Sequence, residues 1–345
     1  MSEPASKRRR TESEEGGSDS ETQKPFLFMN SVQRSKYWFD DGNVVLRAEG
    51  TLFRVHCSMM AHQSKVFKDM FGMPQPQEQT QDVMVEDCPV ITLGDTGEDV
   101  EHILAVFYDN INALDLRQKM HFSQLSAFLR LGKKYEIEYL QNEALKLLRL
   151  DFPATLDAYD KTFAGDQVKY DFPRECGPFT PVILLALDHS IPSVLLSAYL
   201  TYVSSVTPRE LFTGKEGDIL TSSITAICAL DRDRLLRCAF NIIQTWWAGL
   251  GACSNNSNSC TNNRRSATKE LALMLYPSDT GMAPRLTPWN VYEGGERTGP
   301  MKTRLCATCM TGFKDRYEDA RKELWKKLPG FFGLEEWEKL KDFDA

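Results

Sequence analysis

Four cysteines late in the chain are the residues best suited to hold a metal ion. Cys253 and Cys260 have six residues between them, and Cys306 and Cys309 form a C-x2-C pair. A C-x2-C pair offers two thiolates from one turn of chain, and a second pair from a loop can complete a tetrahedral zinc site. Isolated cysteines, however, are usually small buried hydrophobes. The sequence therefore leaves two alternatives, a structural zinc bound by all four residues or four free thiols.

The neighbours His56 and Cys57 have the residue types of a catalytic Cys–His pair. Adjacent residues at the end of a strand point to opposite faces, so we do not expect their side chains to form a hydrogen-bonded pair. His56 is therefore predicted to be structural. The sequence also contains no nucleophile elbow, no Walker phosphate loop, no H-E-x-x-H helix and no dinucleotide-binding glycine set. We accordingly predict that the protein is not an enzyme.

Composition restricts the class of protein further. The 345 residues are 42% hydrophobic and 26% charged, as in a globular protein, and the net charge of −7 argues against a chain that binds nucleic acid along its whole length. The most apolar stretch, Val182–Val206, contains Asp188, His189 and Pro192, so we expect a buried helix pair and not a membrane span. The nine cysteines and the absence of an apolar leader predict free thiols in an intracellular, nuclear or cytoplasmic setting.

The first 24 residues are polar and should form a disordered tail, because they cannot offset their ordering entropy by burial. A basic run in this tail has the length of a short nuclear-import signal. It consists of Lys7, Arg8, Arg9 and Arg10. The alternative is that the run is only part of a solvated tail, balanced by the acidic residues that follow it.

The elements around His56 can be predicted from residue spacing. Val44–Ala48 and Leu52–Val55 alternate as two short strands, and the intervening Glu49, Gly50 and Thr51 suit a hairpin with the glycine at positive φ. Apolar residues then recur at three- and four-residue steps from Met59 to Phe71, which predicts one helix that ends before Pro74.

The next hundred residues continue the alternation of strand and helix. Val90–Leu93 is predicted as a third strand, and Asp99–Tyr108 as a helix with one apolar face. A pair of helices is expected over Ser123–Leu150, because its apolar residues repeat at helical spacing on both sides of Tyr135.

Short motifs in these elements resemble those of the BTB/POZ domain. They are F-x-V-H at Phe53, S-x-x-F at Ser64, M-F at Met70, and the stretch LRLGKKYEIEYL around Tyr135, with Gly132 where the family usually has alanine. The resemblance covers residues 37–150. It implies an α+β fold, a BTB/POZ domain with a short three-stranded sheet on a helical cluster, followed by a mainly α-helical C-terminal region.

The resemblance also implies a function in protein–protein interaction. BTB/POZ domains dimerise or dock partners, and some serve as substrate adaptors of cullin-based ubiquitin ligases. Such adaptors carry a hydrophobic-x-Glu element in a loop that corresponds here to residues 72–78, where we find no clear match. The acidic residue before the first strand often lies near the dimer interface or a charged pocket, which would assign that place to Asp41 or Asp40, although Gly42 and Asn43 intervene before the strand; a turn-capping aspartate is the preferred alternative. The core and interface candidates are Asp41, Phe53, Val55, His56, Ser64, Phe67, Phe71 and Tyr135.

We divide the chain into a tail at 1–24, a BTB/POZ domain at 25–150, a linker at 151–180 and a helical, Cys- and Trp-containing region at 181–345. In that last region we expect helices at Ile219–Leu230, Asp233–Leu250 and Ala267–Tyr276, a loop at 252–265, and a charged helix from after Cys309 to Lys327. The order of blocks and the terminal W-x-x-L-P-x-x-F-G-L-x-x-W resemble BTB proteins of mushroom-forming fungi. The expected partners are proteins, in a homodimer or with a cullin. The alternative is a transcriptional or chromatin regulator whose C-terminal region contacts nucleic acid.

Overall fold

The computed structural model describes residues 32–73, 84–109, 120–162, 170–171, 179–214, 220–249, 253, 258–275, 284, 286–290 and 305–343. The polar tail, the basic run Lys7–Arg10 and most of the loop compared with cullin adaptors lie outside these residues.

A five-stranded sheet forms one layer of the N-terminal half. Its strands are β1 (Gln33–Trp38), β2 (Val44–Ala48), β3 (Thr51–Val55), β4 (Met84–Val85) and β5 (Cys88–Leu93), in the order β1-β3-β2-β5-β4. β2 and β3 form the predicted antiparallel hairpin, in which Ala48 pairs with Thr51. The residue with positive φ in the hairpin turn is Glu49, at 50°, where we had expected the glycine.

The sheet has two more strands than the sequence predicted. β1 runs parallel to β3 with a register shift between Arg34 and Trp38, and only Tyr37 of its residues is buried. Its sequence, QRSKYW, lacks the apolar alternation of a half-buried strand, so its extended conformation depends on pairing with β3 and not on local pattern. β4 is two residues long and joins β5 through a tight turn.

Helices cover the sheet and form the second layer. The single helix expected over Met59–Phe71 is two helices, α1 (Cys57–Gln63) and α2 (Lys65–Gly72). Ser64 separates them in an extended conformation, with φ −138° and ψ 126°. The three-residue spacing continues across the break, which is why the apolar pattern alone suggested one helix.

Three longer helices complete this half of the molecule. They are α3 (Gly97–Tyr108), α4 (Phe122–Lys134) and α5 (Glu138–Asp151), and they confirm the predicted helix and helical pair. Side chains from both layers are inaccessible to solvent and form the core, including Leu46, Phe53, Val55, Leu104, Phe128 and Leu140. The α+β class and the helical region that follows are therefore confirmed.

The segment expected to be a linker contains regular structure. α6 (Leu156–Thr162) lies within it, and its Tyr159 is buried. A two-residue strand, β7 (Tyr170–Asp171), pairs in parallel with β6 (Met120–His121), which directly precedes α4. The pairing of β7 with β6 therefore holds residues that follow α5 against the N-terminal half.

The apolar stretch Val182–Val206 forms the predicted buried helix pair. α7 (Phe179–Asp188) and α8 (Pro192–Val203) pack against one another, and nearly all of α8 is buried. α9 (Pro208–Thr213) follows, and begins with a capping box between Thr207 and Glu210. Within the described residues, no helix combines the length and the apolar character needed to cross a membrane.

The last helices differ from the predicted boundaries. α10 (Ser222–Ala248) is one helix where two were expected, and the charged segment inside it contains an ion pair between Asp231 and Arg234, one turn apart. α11 (Asn258–Leu275) begins inside the segment predicted as a loop. α12 (Ala307–Phe331) starts before Cys309 and continues through Pro329. A proline so near the end of a helix disrupts few backbone hydrogen bonds.

α12 links the helical region to α6. Its Arg321 is 1% exposed and pairs with Asp160 of α6 and with Glu318, while Arg321 Nε donates to the Leu286 carbonyl at 2.9 Å. Trp325 of the same helix contacts Tyr159 and stacks on Trp337 in the short 3-10 turn Trp337–Lys339. The helical region therefore packs against the polypeptide that leaves the N-terminal half.

Candidate interaction surface and cysteine centre

His56 lies at the corner between β3 and α1, and its contacts are with a tyrosine and an aspartate. Its backbone N–H donates to the Tyr108 hydroxyl at 3.0 Å, and its Nδ1 is 3.2 Å from the same oxygen. Its Nε2 is 3.2 Å from Oδ1 of Asp41, whose side chain is 85% exposed. Phe39 stacks on the Tyr108 ring at 4.5 Å. His56 thus connects the turn before β2 to the end of α3.

Cys57 is not activated by this histidine in the structure. Its backbone N–H donates to the Asn43 side-chain oxygen at 2.8 Å, while both ring nitrogens of His56 face other residues. Burial raises the pKa of the Cys57 thiol above its ordinary value, which favours the neutral thiol over the nucleophilic thiolate. The geometry at this corner therefore supports a structural arrangement and offers no catalytic dyad.

Ser64, Phe67 and Tyr135 form a buried contact between α2 and the end of α4. The Ser64 hydroxyl accepts the Phe67 backbone N–H at 3.1 Å and donates to the Tyr135 carbonyl at 2.6 Å. The rings of Phe67 and Tyr135 stack with centroids 4.5 Å apart. The Tyr135 hydroxyl donates to Asp95, and burial followed by this hydrogen bond raises the pKa of Tyr135.

The eight interaction candidates separate into core and surface residues. Five are buried and so contribute through the stability of the domain: Phe53, Val55, Ser64, Phe67 and Tyr135. Asp41 is exposed, and His56 and Phe71 are half-buried. Of this set, only the last three can touch a partner directly. The contacts of Tyr108 and Asn43 with His56 and Cys57 were not predicted from the sequence, because they span 52 and 14 positions.

The four late cysteines come together in one cluster, the cysteine centre. The Sγ atoms of Cys253 and Cys306 are 3.6 Å apart, and Cys260–Cys306 and Cys253–Cys309 are each 3.7 Å apart. All four sulfurs lie within 4.8 Å of one another. These separations exceed the roughly 2.05 Å of a disulfide. The three separations of 3.6–3.7 Å are close to the edge of about 3.8 Å in a tetrahedron whose centre is ~2.3 Å from each sulfur, the length of a zinc–thiolate bond.

Three segments of chain supply this centre. Cys253 follows α10, Cys260 is the third residue of α11, and Cys306 and Cys309 lie at the N-cap and in the first turn of α12. The Cys306 backbone N–H points at the Cys260 sulfur, at 3.4 Å. Hydrogen bonds from backbone N–H groups to sulfur are of the kind that stabilise metal-bound thiolates.

The cysteine centre is unfavourable for several thiolates unless a cation lies among them. Burial raises the pKa of Cys309 to about 12, and it also raises the pKa of Cys260, because several thiolates cannot share a buried site without positive charge. A divalent ion would reverse this effect, since coordination deprotonates a thiol. The donor set therefore fits a cation that prefers soft sulfur ligands, and the centre could hold a metal ion.

Comparison with known proteins addresses the N-terminal half. Residues 32–150 match the family model of the BTB/POZ domain, a stretch that begins just before β1 and ends with α5. We found no match to the chain among curated proteins. The matched residues contain the five-stranded sheet, its covering helices and all eight interaction candidates. The chain therefore contains a BTB/POZ domain, a protein–protein interaction module, at residues 32–150.

Proposed function

We propose that this protein is a non-enzymatic assembly factor. Its BTB/POZ domain pairs with a second copy of the chain, and its helical region from residue 181 onwards binds a different protein. The observation that carries the proposal is the family match over residues 32–150, because BTB/POZ domains mediate protein interactions and often dimerise. The contacts of His56 and Cys57 also support a role without chemistry, since neither side chain is placed as a nucleophile or a base.

Asp41 is the residue that we assign to the self-association surface. Its carboxylate is 85% exposed, and its contact with His56 fixes its position beside the strand corner. Asp40 precedes it in the same turn and is also exposed, so the two residues differ in their contact with His56 and little else. This pair gives a matched comparison of a candidate contact residue with its neighbour.

The test is light scattering on the full chain across a range of protein concentrations. A dimer of the 39.3 kDa chain should have twice that mass. Asp41→Lys should shift the equilibrium to monomer, because it places a positive charge where a carboxylate contacts the partner. Asp40→Lys should leave the dimer intact. A wild-type chain that stays monomeric at every concentration would contradict self-association and leave docking of one partner at a time.

A role as a ubiquitin-ligase substrate adaptor is the narrower form of this proposal. In that case the BTB/POZ domain would bind a cullin while the helical region holds the substrate. Capture of purified cullins by the immobilised full chain tests it directly, and failure to retain any of them would contradict the adaptor role. A salt-dependent shift of duplex DNA by the chain would instead support the alternative of a transcriptional or chromatin regulator.

We also propose that the cysteine centre binds zinc as a structural ion. The supporting observation is the set of sulfur separations of 3.6–3.7 Å, which are close to the edge length of a zinc–thiolate tetrahedron. Four sulfur ligands leave no open coordination position, so the ion would fold the region and not catalyse a reaction. Binding of this kind contributes on the order of 10 kcal/mol to the folding of small zinc modules.

Metal analysis of the purified full chain by plasma mass spectrometry tests the zinc proposal. We expect one zinc per chain, loss of the metal in Cys309→Ala, and a lower melting temperature after chelation. Cys238→Ala is the matched control, because Cys238 is a free cysteine of α10 outside the centre. A chain that is free of zinc, and whose melting temperature is unchanged by a chelator, would contradict the proposal.

A further inference from the structure

We propose that the cysteine centre is a peroxide-responsive switch, in which oxidation at Cys306 releases the metal and frees the start of α12. The inference rests on the proposed zinc site and adds how that site is regulated. It follows from two properties of the centre: the four sulfurs are unequally exposed, and they are already close enough for a disulfide to form between them.

Cys306 is the most exposed member of the centre. It is half-buried, whereas Cys253 and Cys260 are each 2% exposed and Cys309 is 8% exposed. Cys306 also directly precedes the first turn of α12 as its N-cap. Oxidants react with the thiolate and need access to it, so a peroxide should meet Cys306 before the other three.

Cys306 also has two partners within reach. Cys253 and Cys260 lie 3.6 and 3.7 Å from its sulfur, so a contraction of about 1.6 Å on either edge makes a disulfide of normal length. Oxidation would therefore join sulfurs that are already neighbours in the centre.

The chemistry balances in two steps. Cys306 thiolate attacks one oxygen of hydrogen peroxide, the O–O bond breaks, and a proton completes a sulfenic acid and one water. The Cys253 thiolate then attacks the sulfenic sulfur, the S–O bond breaks, and a second proton completes the other water as the disulfide forms. The two sulfurs lose two electrons in total and peroxide gains them. A zinc ion held by the four cysteines would thereby lose two of its ligands.

The consequence is local to the joint between α11 and α12. In the metal-bound form one ion would hold the start of α11 and the first turn of α12 together, and α12 carries the buried Arg321 that pairs with Asp160 of α6. A disulfide that joins Cys306 to Cys253 leaves Cys260 and Cys309 without the ion. The helical region should then be less stable, while residues 32–150 keep their own core.

The experiment uses the zinc-loaded full chain and stoichiometric hydrogen peroxide. Released zinc is followed by a chromogenic chelator, and isotope-coded alkylation with mass spectrometry gives the order in which cysteines are oxidised. We expect one zinc released per disulfide, with Cys306 oxidised first and linked to Cys253 or Cys260. Thiol reductant with added zinc should reverse both changes. First oxidation at another member of the centre would overturn the inference.

Two variants sharpen the measurement. Cys306→His keeps a nitrogen ligand for zinc but removes the reactive sulfur, so release by peroxide should slow at least tenfold; if this variant binds no zinc, the order of oxidation in the unchanged chain decides. Cys238→Ser, outside the centre, should behave as the wild type. Zinc that stays bound while Cys57 or Cys238 is oxidised would overturn the switch alone. A chain without zinc before peroxide is added would overturn the zinc proposal as well.

Discussion

Arg149 of α5 donates a hydrogen bond to Asp342 at 2.6 Å, although 193 positions separate the two residues. The Asp342 side chain is 5% exposed and also accepts the Ser193 backbone N–H at 3.1 Å and the Ser193 hydroxyl at 2.5 Å. The N-cap of α8, Ile191, provides no side-chain hydrogen bond. Asp342 therefore caps α8 from a distant part of the chain and fastens it to the last helix of the BTB/POZ domain.

Asp342→Ala should destabilise the full chain by about 1–2 kcal/mol. The substitution removes the cap of α8 and leaves the Ser193 N–H and Arg149 without their shared acceptor. Urea unfolding of the wild type and the variant measures the change in the free energy of unfolding. Glu335→Ala is the control, because Glu335 is exposed in the same segment. An equal effect of the two substitutions would show that the carboxylate does not stabilise the joint.

Ser64→Ala should cost about 1–2 kcal/mol, because Ser64 is 1% exposed and its hydroxyl makes two hydrogen bonds at the break between α1 and α2. The loss leaves the Tyr135 carbonyl and the Phe67 N–H without this partner in the interior. Ser58→Ala, on the exposed side of α1, should change stability by less than about 0.5 kcal/mol. Urea unfolding of both variants decides whether the hydroxyl of Ser64 has this role.

The hairpin, α3, α4 and α5 could be predicted from the sequence because their signals are local. Apolar alternation identified β2 and β3, and helical spacing on both sides of Tyr135 identified the last pair of helices. The signals failed where a tertiary contact determines the backbone. β1 is extended because it pairs with β3, and α2 begins anew because the Ser64 hydroxyl bonds to the carbonyl of a residue 71 positions away.

The candidate site, too, could be predicted where the sequence signal is local and not where it depends on tertiary contacts. The C-x2-C spacing predicted that Cys306 and Cys309 lie close together. Cys253 and Cys260 lie beside them only because α10, α11 and α12 pack against one another. The pairs Arg149–Asp342 and Arg321–Asp160 join residues that are 193 and 161 positions apart, so sequence spacing could not connect them.

Arg321→Met should destabilise the chain by about 3 kcal/mol. Arg321 is 1% exposed, and the change leaves the carboxylates of Asp160 and Glu318 in a partly buried site without their positive partner. Lys322→Met is the matched control, since Lys322 is the next residue, is 68% exposed and pairs only loosely with Asp319 at 3.7 Å. Adding Asp160→Asn and Glu318→Gln to Arg321→Met should recover part of the loss. No recovery in the triple variant would show that the packing of the Arg321 side chain, and not its charge, is what matters.

Asp231 gives a prediction about pH. Burial raises its pKa from 3.8 to about 6 in the folded chain, and Arg234, at 2.9 Å, opposes that shift only in part. Between about pH 4 and pH 6 the folded state holds a proton that the unfolded state has lost. This proton stabilises the fold fully below the unfolded pKa, and the stabilisation is lost as the pH rises through the folded pKa.

Asp231→Asn is neutral at every pH, so it should become more favourable relative to the wild type as the pH rises from 4.5 to 7.5. We expect the difference in unfolding free energy to change by on the order of 1 kcal/mol across that range, once solvent screening is allowed for. Urea unfolding at both pH values measures it. Asp233→Asn is the control, since the Asp233 side chain is 54% exposed and pairs with Arg237 on the surface of α10. If the unfolding free energies of the two variants, relative to the wild type, change equally with pH, then Asp231 titrates as an ordinary surface carboxylate. Its ionisation inside α10 would then not destabilise the fold near neutral pH.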